Sequence, residues 1–300
     1  STFSYGNVNA VTFYARTGTP DLTGQEESYR GFLGYDGDRW GLQAEHLLVG
    51  DDFNPEIGFL RRRGFRESFV SGRFSPRPET IDWVRQITME ASLDYLENSD
   101  AGFVETRDRQ GTVQVELENS DLFSVTFTDS YESIVEPFLV AGVGTVDPGR
   151  YDFRDVQVGY NFGLQRRISG NLLFQAGSFF GGDRTTVGFS QGRVNVSEQL
   201  SVEPSLTFNW IDLPGQSFRT DLAVTRINYA FNPRMFLSGL VQYNSAADAF
   251  TTNFRFRWEY VPGSELFVVF TEGRSTDVFD PFADLSTRAL VVKVNYLLRL

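Results

Sequence analysis

The stretch TTNFRFRWEY at residues 251–260 alternates between two kinds of side chain. Successive side chains of a β-strand point to opposite faces, so Phe256 and Trp258 share one face and Arg255 and Arg257 share the other. In a transmembrane barrel, the aromatic face meets lipid and the charged face lines the lumen. We therefore predict that this stretch is one strand of an all-β, antiparallel transmembrane β-barrel.

The composition suits such a barrel. The 300 residues include 29 Phe, 12 Tyr and 4 Trp, but no apolar run reaches the ~18 residues that a transmembrane helix needs. The mean hydropathy of -0.25 does not decide the matter, because half of each barrel strand is polar. The absence of cysteine excludes disulfides and thiolate metal sites. The net charge of -12 argues against a nucleic-acid partner, and no cofactor is predicted.

About sixteen strands are predicted, an even number as in bacterial barrels, within one domain over residues 1–300. Long and tight links alternate along the chain, which predicts long extracellular loops, short periplasmic turns and periplasmic termini. A soluble sandwich would alternate too, but the long strands and the aromatics at their ends favour the barrel. The predicted strands cover residues 8–16, 28–35, 39–49, a fourth ending at 74, 81–95, 102–118, 122–131, 151–162, 171–180, 185–196, 200–210, 218–231, 235–244, 251–260, 265–272 and 289–300.

Two predicted strands depart from the alternation. In the strand at 81–95, Val84 and Arg85 interrupt an otherwise regular pattern. The strand at 218–231 changes phase midway, and we assign that change to a β-bulge.

Several motifs resemble a bacterial outer-membrane family of unknown function. They are DFNPEIGF at 52–59 with Arg61 to Arg63, RFSPRP at 73–78, VQYNS at 241–245, and RWEY at 257–260 running into PGSEL at 262–266. Longer members of that family join a periplasmic domain resembling carbohydrate-binding module family 9 to a C-terminal barrel. The resemblance implies a barrel here, with such a domain as a partner, and supplies no catalytic residues.

The chain resembles only the C-terminal portion of that family. It lacks the carbohydrate-binding-like domain and the first part of the barrel region. No signal peptide precedes the first strand, so we expect a mature form or a fragment. The chain is either part of a longer barrel or a shorter protein that closes with its own strands.

The alternation also predicts which side chains line the lumen and which meet the membrane interfaces. Mixed charges in the lumen would form cross-strand pairs or line a polar pathway with weak ion selectivity. The predicted lumen residues are Glu90, Asp94, Glu203, Asn209, Arg255, Arg257, Glu259 and Lys293, and the predicted aromatic girdle is Trp83, Tyr95, Trp210, Trp258, Tyr260 and Tyr296.

The densest basic cluster has two interpretations. Arg61, Arg62, Arg63 and Arg66 could form an anion-binding patch, since guanidinium groups suit carboxylate, sulfate and phosphate. The favoured alternative is that they pair with the acidic region of Asp51, Asp52 and Glu67, or contact lipopolysaccharide phosphates at the rim.

Catalytic and metal sites have weak support. His46 is the only histidine, and it lies on an apolar face where a base cannot reach a cleft. Asp51, Asp52 and the acidic loop at 277–284 lack the spacing of a calcium loop. No metal or catalytic site is therefore predicted.

The sequence is compatible with three functions. The leading hypothesis is a channel, or the membrane half of a transport system, in the bacterial outer membrane. The second is a barrel that scaffolds an envelope complex, and the third is an outer-membrane hydrolase. The expected partners are the lipid bilayer and lipopolysaccharide.

Overall fold

The computed structural model describes residues 1–20, 22, 24–56, 58–60, 62–276 and 285–298. In this part of the chain, the secondary structure is strand apart from one 3-10 turn at Ser245–Ala247. No helix there is long and apolar enough to cross a membrane. The strands are β1 (Thr2–Tyr5), β2 (Val8–Arg16), β3 (Glu27–Asp36), β4 (Trp40–Val49), β5 (Phe65–Phe74), β6 (Val84–Asn98), β7 (Val104–Leu117), β8 (Leu122–Ile134), β9 (Phe138–Val140), β10 (Gly144–Val146), β11 (Gly149–Phe162), β12 (Ile168–Phe179), β13 (Gly182–Asn195), β14 (Leu200–Leu213), β15 (Gln216–Asn232), β16 (Met235–Asn244), β17 (Ala249–Val261), β18 (Ser264–Ser275) and β19 (Leu285–Asn295).

A single 17-stranded sheet forms the wall. Its strands pair antiparallel with their neighbours in sequence, except that β8 pairs directly with β11. The intervening β9 and β10 make a separate hairpin. The four-residue β1 has its register with the first part of β2, and without it the wall has sixteen long strands.

The seam between the first and last long strands is less regularly paired than the rest of the wall. In the order of the sheet, β19 stands next to β2, whereas the residue-by-residue register of β19 is with β18. Both faces of β19 are open to solvent, because Leu290 is 66% exposed and its neighbour Val291 is 56% exposed.

The registers divide the wall into two faces. Phe256 pairs with Val268 on the outer face, while Asn253 pairs with Thr271 on the inner face and donates a hydrogen bond of 2.7 Å to it. The registers of the neighbouring strands assign the residues of every long strand to one of these two faces in the same way. Exposed apolar side chains recur on the outer face at Leu33, Leu42, Val70, Val113, Phe127, Val156, Phe174, Val187, Ile227 and Leu290.

The links between strands differ at the two ends of the barrel. The loop end carries the long links β2–β3, β4–β5, β8–β11 and β18–β19, whereas the turn end carries tight links such as β3–β4, β15–β16 and β17–β18. The separation is incomplete. Residues 75–83 make a long link at the turn end, and the two-residue links 180–181 and 214–215 lie at the loop end.

The irregular strands have different causes. In β6, the register with β7 shifts between Val84 and Gln86, so the extra residue Arg85 accounts for the interrupted alternation. The midway bulge predicted for β15 is wrong, because its register with β14 is continuous and its shift against β16 comes only after Ala230. Near the loop end the outer face of β15 is charged and its inner face is apolar, which reverses the pattern without a bulge.

Some boundaries also differ from the prediction. Ile81 and Trp83 precede β6 and lie in the link before it, and β19 begins at Leu285. The strands β1, β9 and β10 were not predicted, because each is only three or four residues long and lacks a full alternation.

An apolar cluster lies inside the barrel at the loop end. The β9–β10 hairpin folds inward, and Val146 packs with Phe180, Ile211 and Leu213. The amide of Thr145 donates to Gln216 Oε1 at 3.1 Å, which fixes the hairpin against β15. The hairpin thus covers the inner face of β14 and β15.

Candidate functional site: the inner wall

The eight predicted lumen residues share the inner face. Registers link Glu203 to Arg226, Asn209 to Thr220 and Lys293 to Phe267, and continue around the wall without changing face. The residues that the structure places on this face are Glu90, Asp94, Glu203, Asn209, Arg255, Arg257, Glu259 and Lys293. They are spread along the inner wall and do not converge on one point.

Glu203 and Asn209 belong to cross-strand networks. Glu203 accepts from Arg193 at 3.2 Å, and Arg226 lies 3.9 Å away. Asn209 accepts from Thr186 at 2.9 Å and donates to Thr220 at 3.1 Å. These contacts join β13, β14 and β15 and stiffen this part of the wall.

The β17 residues differ in their partners. Arg257 forms an ion pair with Glu265 across the β17–β18 turn. Glu259 accepts from the amide of Gly263 at 2.9 Å, which closes the same turn. Arg255 and Lys293 form no ion pair within the described ranges, so their charges are available to the lumen.

A second group of carboxylates faces the lumen on the opposite side. Within the part of the chain that is described, none of them has an ion-pair partner, and we name this group the acidic arc. Glu67, Asp108 and Glu132 were missed in the sequence, although following the alternation through each strand would have found them. The arc comprises Glu67, Glu90, Asp94, Asp108 and Glu132, from β5 to β8.

The described side chains of the arginine cluster are divided among two acids and one amide. Arg62 pairs with Glu105, Arg63 donates to Asn54 at 2.9 Å, and Arg66 pairs with Glu97 at 2.6 Å. Arg61 lies outside the described residues. The side chains described are thus mostly neutralised, but by acids other than the expected Asp51, Asp52 and Glu67.

The aromatic residues predicted for the girdle lie toward both ends of the wall. Tyr95 and Trp210 are on the outer face toward the loop end. The other four lie toward the turn end, where the Tyr260 hydroxyl donates to the carbonyl of Asn295 at 2.9 Å. These four are Trp83, Trp258, Tyr260 and Tyr296.

His46 lies on the outer face, away from the lumen. Its Nδ1 is 2.8 Å from the Ser68 hydroxyl, and its ring is 5.9 Å from that of Tyr29. No group of residues suited to holding a metal ion occurs in the described ranges. In the β4–β5 loop, burial and the nearby Asp100 raise the pKa of Asp51. The acidic loop at 277–284 lies outside the described residues.

A buried carboxylate at the turn end, that of Asp121, was not predicted from the sequence. Asp121 is 0% exposed and accepts from Arg166 at 2.5 Å, Tyr160 at 2.6 Å and the Gly163 amide at 2.7 Å. The Arg166 guanidinium, followed by these other donors, holds the pKa of Asp121 well below its usual range. Asp121 therefore ties the β7–β8 turn to the β11–β12 turn.

No protein-family model matches the chain, and no curated protein matches it. Among solved structures, a mutant of the ferric enterobactin receptor from Pseudomonas aeruginosa is similar with a TM-score of 0.47 and 11% identity, over 89% of this chain and 53% of that chain. The siderophore receptor PirA from Acinetobacter baumannii is similar with a TM-score of 0.43 and 10% identity, over 95% of this chain and 56% of that chain. The chain spans about half the length of these receptors.

The predicted fold class is confirmed by the strands and their registers. The wall is an antiparallel barrel whose outer face exposes apolar side chains and whose inner face carries charged and amide side chains beside two apolar patches. An outer face of this kind suits a bilayer, because lipid solvates apolar side chains and a sheet curved into a barrel satisfies its backbone hydrogen bonds between strands. The chain is therefore a β-barrel of the transmembrane type.

Proposed function

We propose that the chain works as a channel, or as the membrane half of an uptake or export system. The observation that carries this proposal is the inner face, where charged and amide side chains from successive strands line the lumen. Porin interiors lined in this way hold water and pass polar solutes. The acidic arc on one side, with Arg255 and Lys293 on the other, offers such a hydrated path. The inward β9–β10 hairpin narrows it at the loop end.

Single-channel conductance in planar bilayers tests the proposal. We expect discrete current steps from the folded protein and none from a heat-denatured sample. Folding is verified by circular dichroism and by heat-dependent migration on a gel. A correctly folded barrel that never conducts would contradict a channel.

The apolar cluster under the hairpin favours a second candidate function. Val146, Phe180, Ile211 and Leu213 close part of the lumen, which suits a barrel that scaffolds an envelope complex. Detergent pull-down followed by mass spectrometry tests this function. Recovery of the chain alone, at monomer size, would count against it.

The lipid bilayer and lipopolysaccharide are the proposed surroundings. Toward the loop end the outer face becomes charged, with Arg154 donating to Asp129 at 2.7 Å and Arg107 nearby. Guanidinium groups there suit lipopolysaccharide phosphates. A periplasmic carbohydrate-binding-like domain is a further proposed partner, supported only by the motif resemblance. The length of the native gene product tests that partnership.

A further inference from the structure

A pocket lies between the inner wall and the long β4–β5 loop. Its volume is about 680 Å³, within the range of roughly 300–1,000 Å³ that is common for small-molecule sites. The wall contributes side chains from the inner faces of β2 to β6, and the loop covers them. The apolar lining comprises Phe13, Leu47, Val49, Phe53, Leu60, Phe65 and Leu96.

Glu67 is the polar group in this pocket that has no partner among the described residues. Arg62, at the same pocket, is paired with Glu105 and stacks over the ring of Phe65 at 5.7 Å. The Ser28 hydroxyl donates to the carbonyl of Leu48 at 2.9 Å. The half-buried Glu67 carboxylate thus faces an apolar space, with no hydrogen bond or ion pair to the part of the chain that the structure describes.

Two further carboxylates add to the negative field at Glu67. Glu45 and Asp94 act on it electrostatically and lie two residues farther along the same face, on either side of Phe69. Arg30 neutralises Glu45 at 2.6 Å, whereas Asp94 has no ion-pair partner within the described part of the wall. The pocket is therefore apolar in its lining and negative at one point.

We propose that this pocket binds an organic cation, a molecule with an aromatic or aliphatic body and a protonated amine. The body displaces water from the apolar lining, and the ammonium group donates hydrogen bonds to Glu67. An anion would be repelled by Glu67 and Asp94, and the arginines close to the pocket, Arg62 and Arg30, are already paired with Glu105 and Glu45. This site goes beyond the proposed function, because binding here does not require the lumen to conduct.

Three matched probes test the site by isothermal titration calorimetry. Phenylbutylamine, phenylbutanol and phenylbutyrate share one body and differ in their head groups. The chain is placed in nanodiscs of zwitterionic lipid, and empty nanodiscs correct for partitioning into lipid. We expect one saturable site that binds the amine about tenfold or more tightly than the alcohol, with the acid weakest. Equal affinity for all three probes, or no saturable binding, would overturn the proposal.

Two variants separate the charge from the fold. Glu67→Gln keeps the shape of the side chain and is expected to lower amine affinity about tenfold, to the level of the alcohol. Glu132→Gln removes another unpaired carboxylate of the inner face outside the pocket and is expected to leave amine binding unchanged. Circular dichroism and heat-dependent migration verify that both variants fold. Full amine binding in folded Glu67→Gln, or an equal loss in both variants, would reject the assignment.

Discussion

Phe256 lies in the middle of β17 on the outer face, where its ring centroid is 6.4 Å from that of Phe231. Arginine at a lipid-facing midplane position costs about 2–4 kcal/mol. We therefore expect Phe256→Arg to lower the free energy of unfolding by about that amount, measured by urea titration in lipid vesicles. Arg257→Ala is the matched control, because it removes one exposed ion pair worth about 1 kcal/mol or less. If Phe256→Arg left the free energy of unfolding unchanged and Arg257→Ala lowered it strongly, the lipid-facing and lumen-facing sides would be assigned the wrong way round.

Asp121 gives the second prediction at the scale of single residues. Asp121→Asn removes charge-assisted hydrogen bonds at a buried position, so we expect it to destabilise the barrel by about 1–3 kcal/mol at pH 7. The pKa of Asp121 is lower in the folded chain than in the unfolded chain. Its contribution is therefore complete above about pH 5 and shrinks as the pH falls toward the folded-state pKa.

Urea titrations of wild-type and Asp121→Asn protein at pH 7 and pH 3 measure that dependence. The stability difference between the two proteins should be smaller at pH 3. A difference that is constant over this range would mean that the ionised carboxylate does not stabilise the turns.

Among the structural elements, the β9–β10 hairpin carries a prediction about the lumen. Val146 is 3% exposed in the apolar cluster, whereas Leu139 on the same hairpin is 59% exposed. Val146→Asp would bury an unpaired charge, so we expect it to release the hairpin from the inner wall. The released hairpin should widen the lumen, raise the conductance and become sensitive to limited proteolysis.

Leu139→Asp is the matched control for this release. Its side chain is exposed, so the same substitution should change neither conductance nor proteolysis. If Val146→Asp leaves the hairpin as resistant to protease as Leu139→Asp does, the hairpin is not held by its apolar contacts.

At the scale of the whole molecule, the net charge of -12 and the acidic arc predict cation selectivity. Unpaired carboxylates raise the local concentration of cations in the lumen. We expect a reversal potential of the cation-selective sign in a potassium chloride gradient, with weaker selectivity at high salt because of screening. Anion selectivity would mean that Arg255 and Lys293, rather than the arc, control the field.

Much of the barrel could be predicted from the sequence. Side chains alternate between the two faces every second residue, and this alternation is the same whichever strand lies alongside. The long strands and the shared face of Glu203, Asn209 and Arg257 followed from that period. The prediction of strands failed where the alternation is too short or too irregular to identify a strand and its two faces. The strands β9 and β10 are too short to alternate visibly, and β15 changes phase because its loop end leaves the apolar band, not because of a bulge.

The sequence by itself determined the fold class and the division of each strand into an apolar and a polar face, because both depend on local periodicity. Only the tertiary structure decided which charges are paired. Arg62 meets Glu105 and Asp121 meets Arg166 across distances of 43 and 45 residues in the chain. It also placed the hairpin inside the lumen and set Glu67 in the pocket under the β4–β5 loop, with no partner among the described residues. Such contacts depend on which strands and loops become neighbours when the sheet curves, and a local pattern does not specify that.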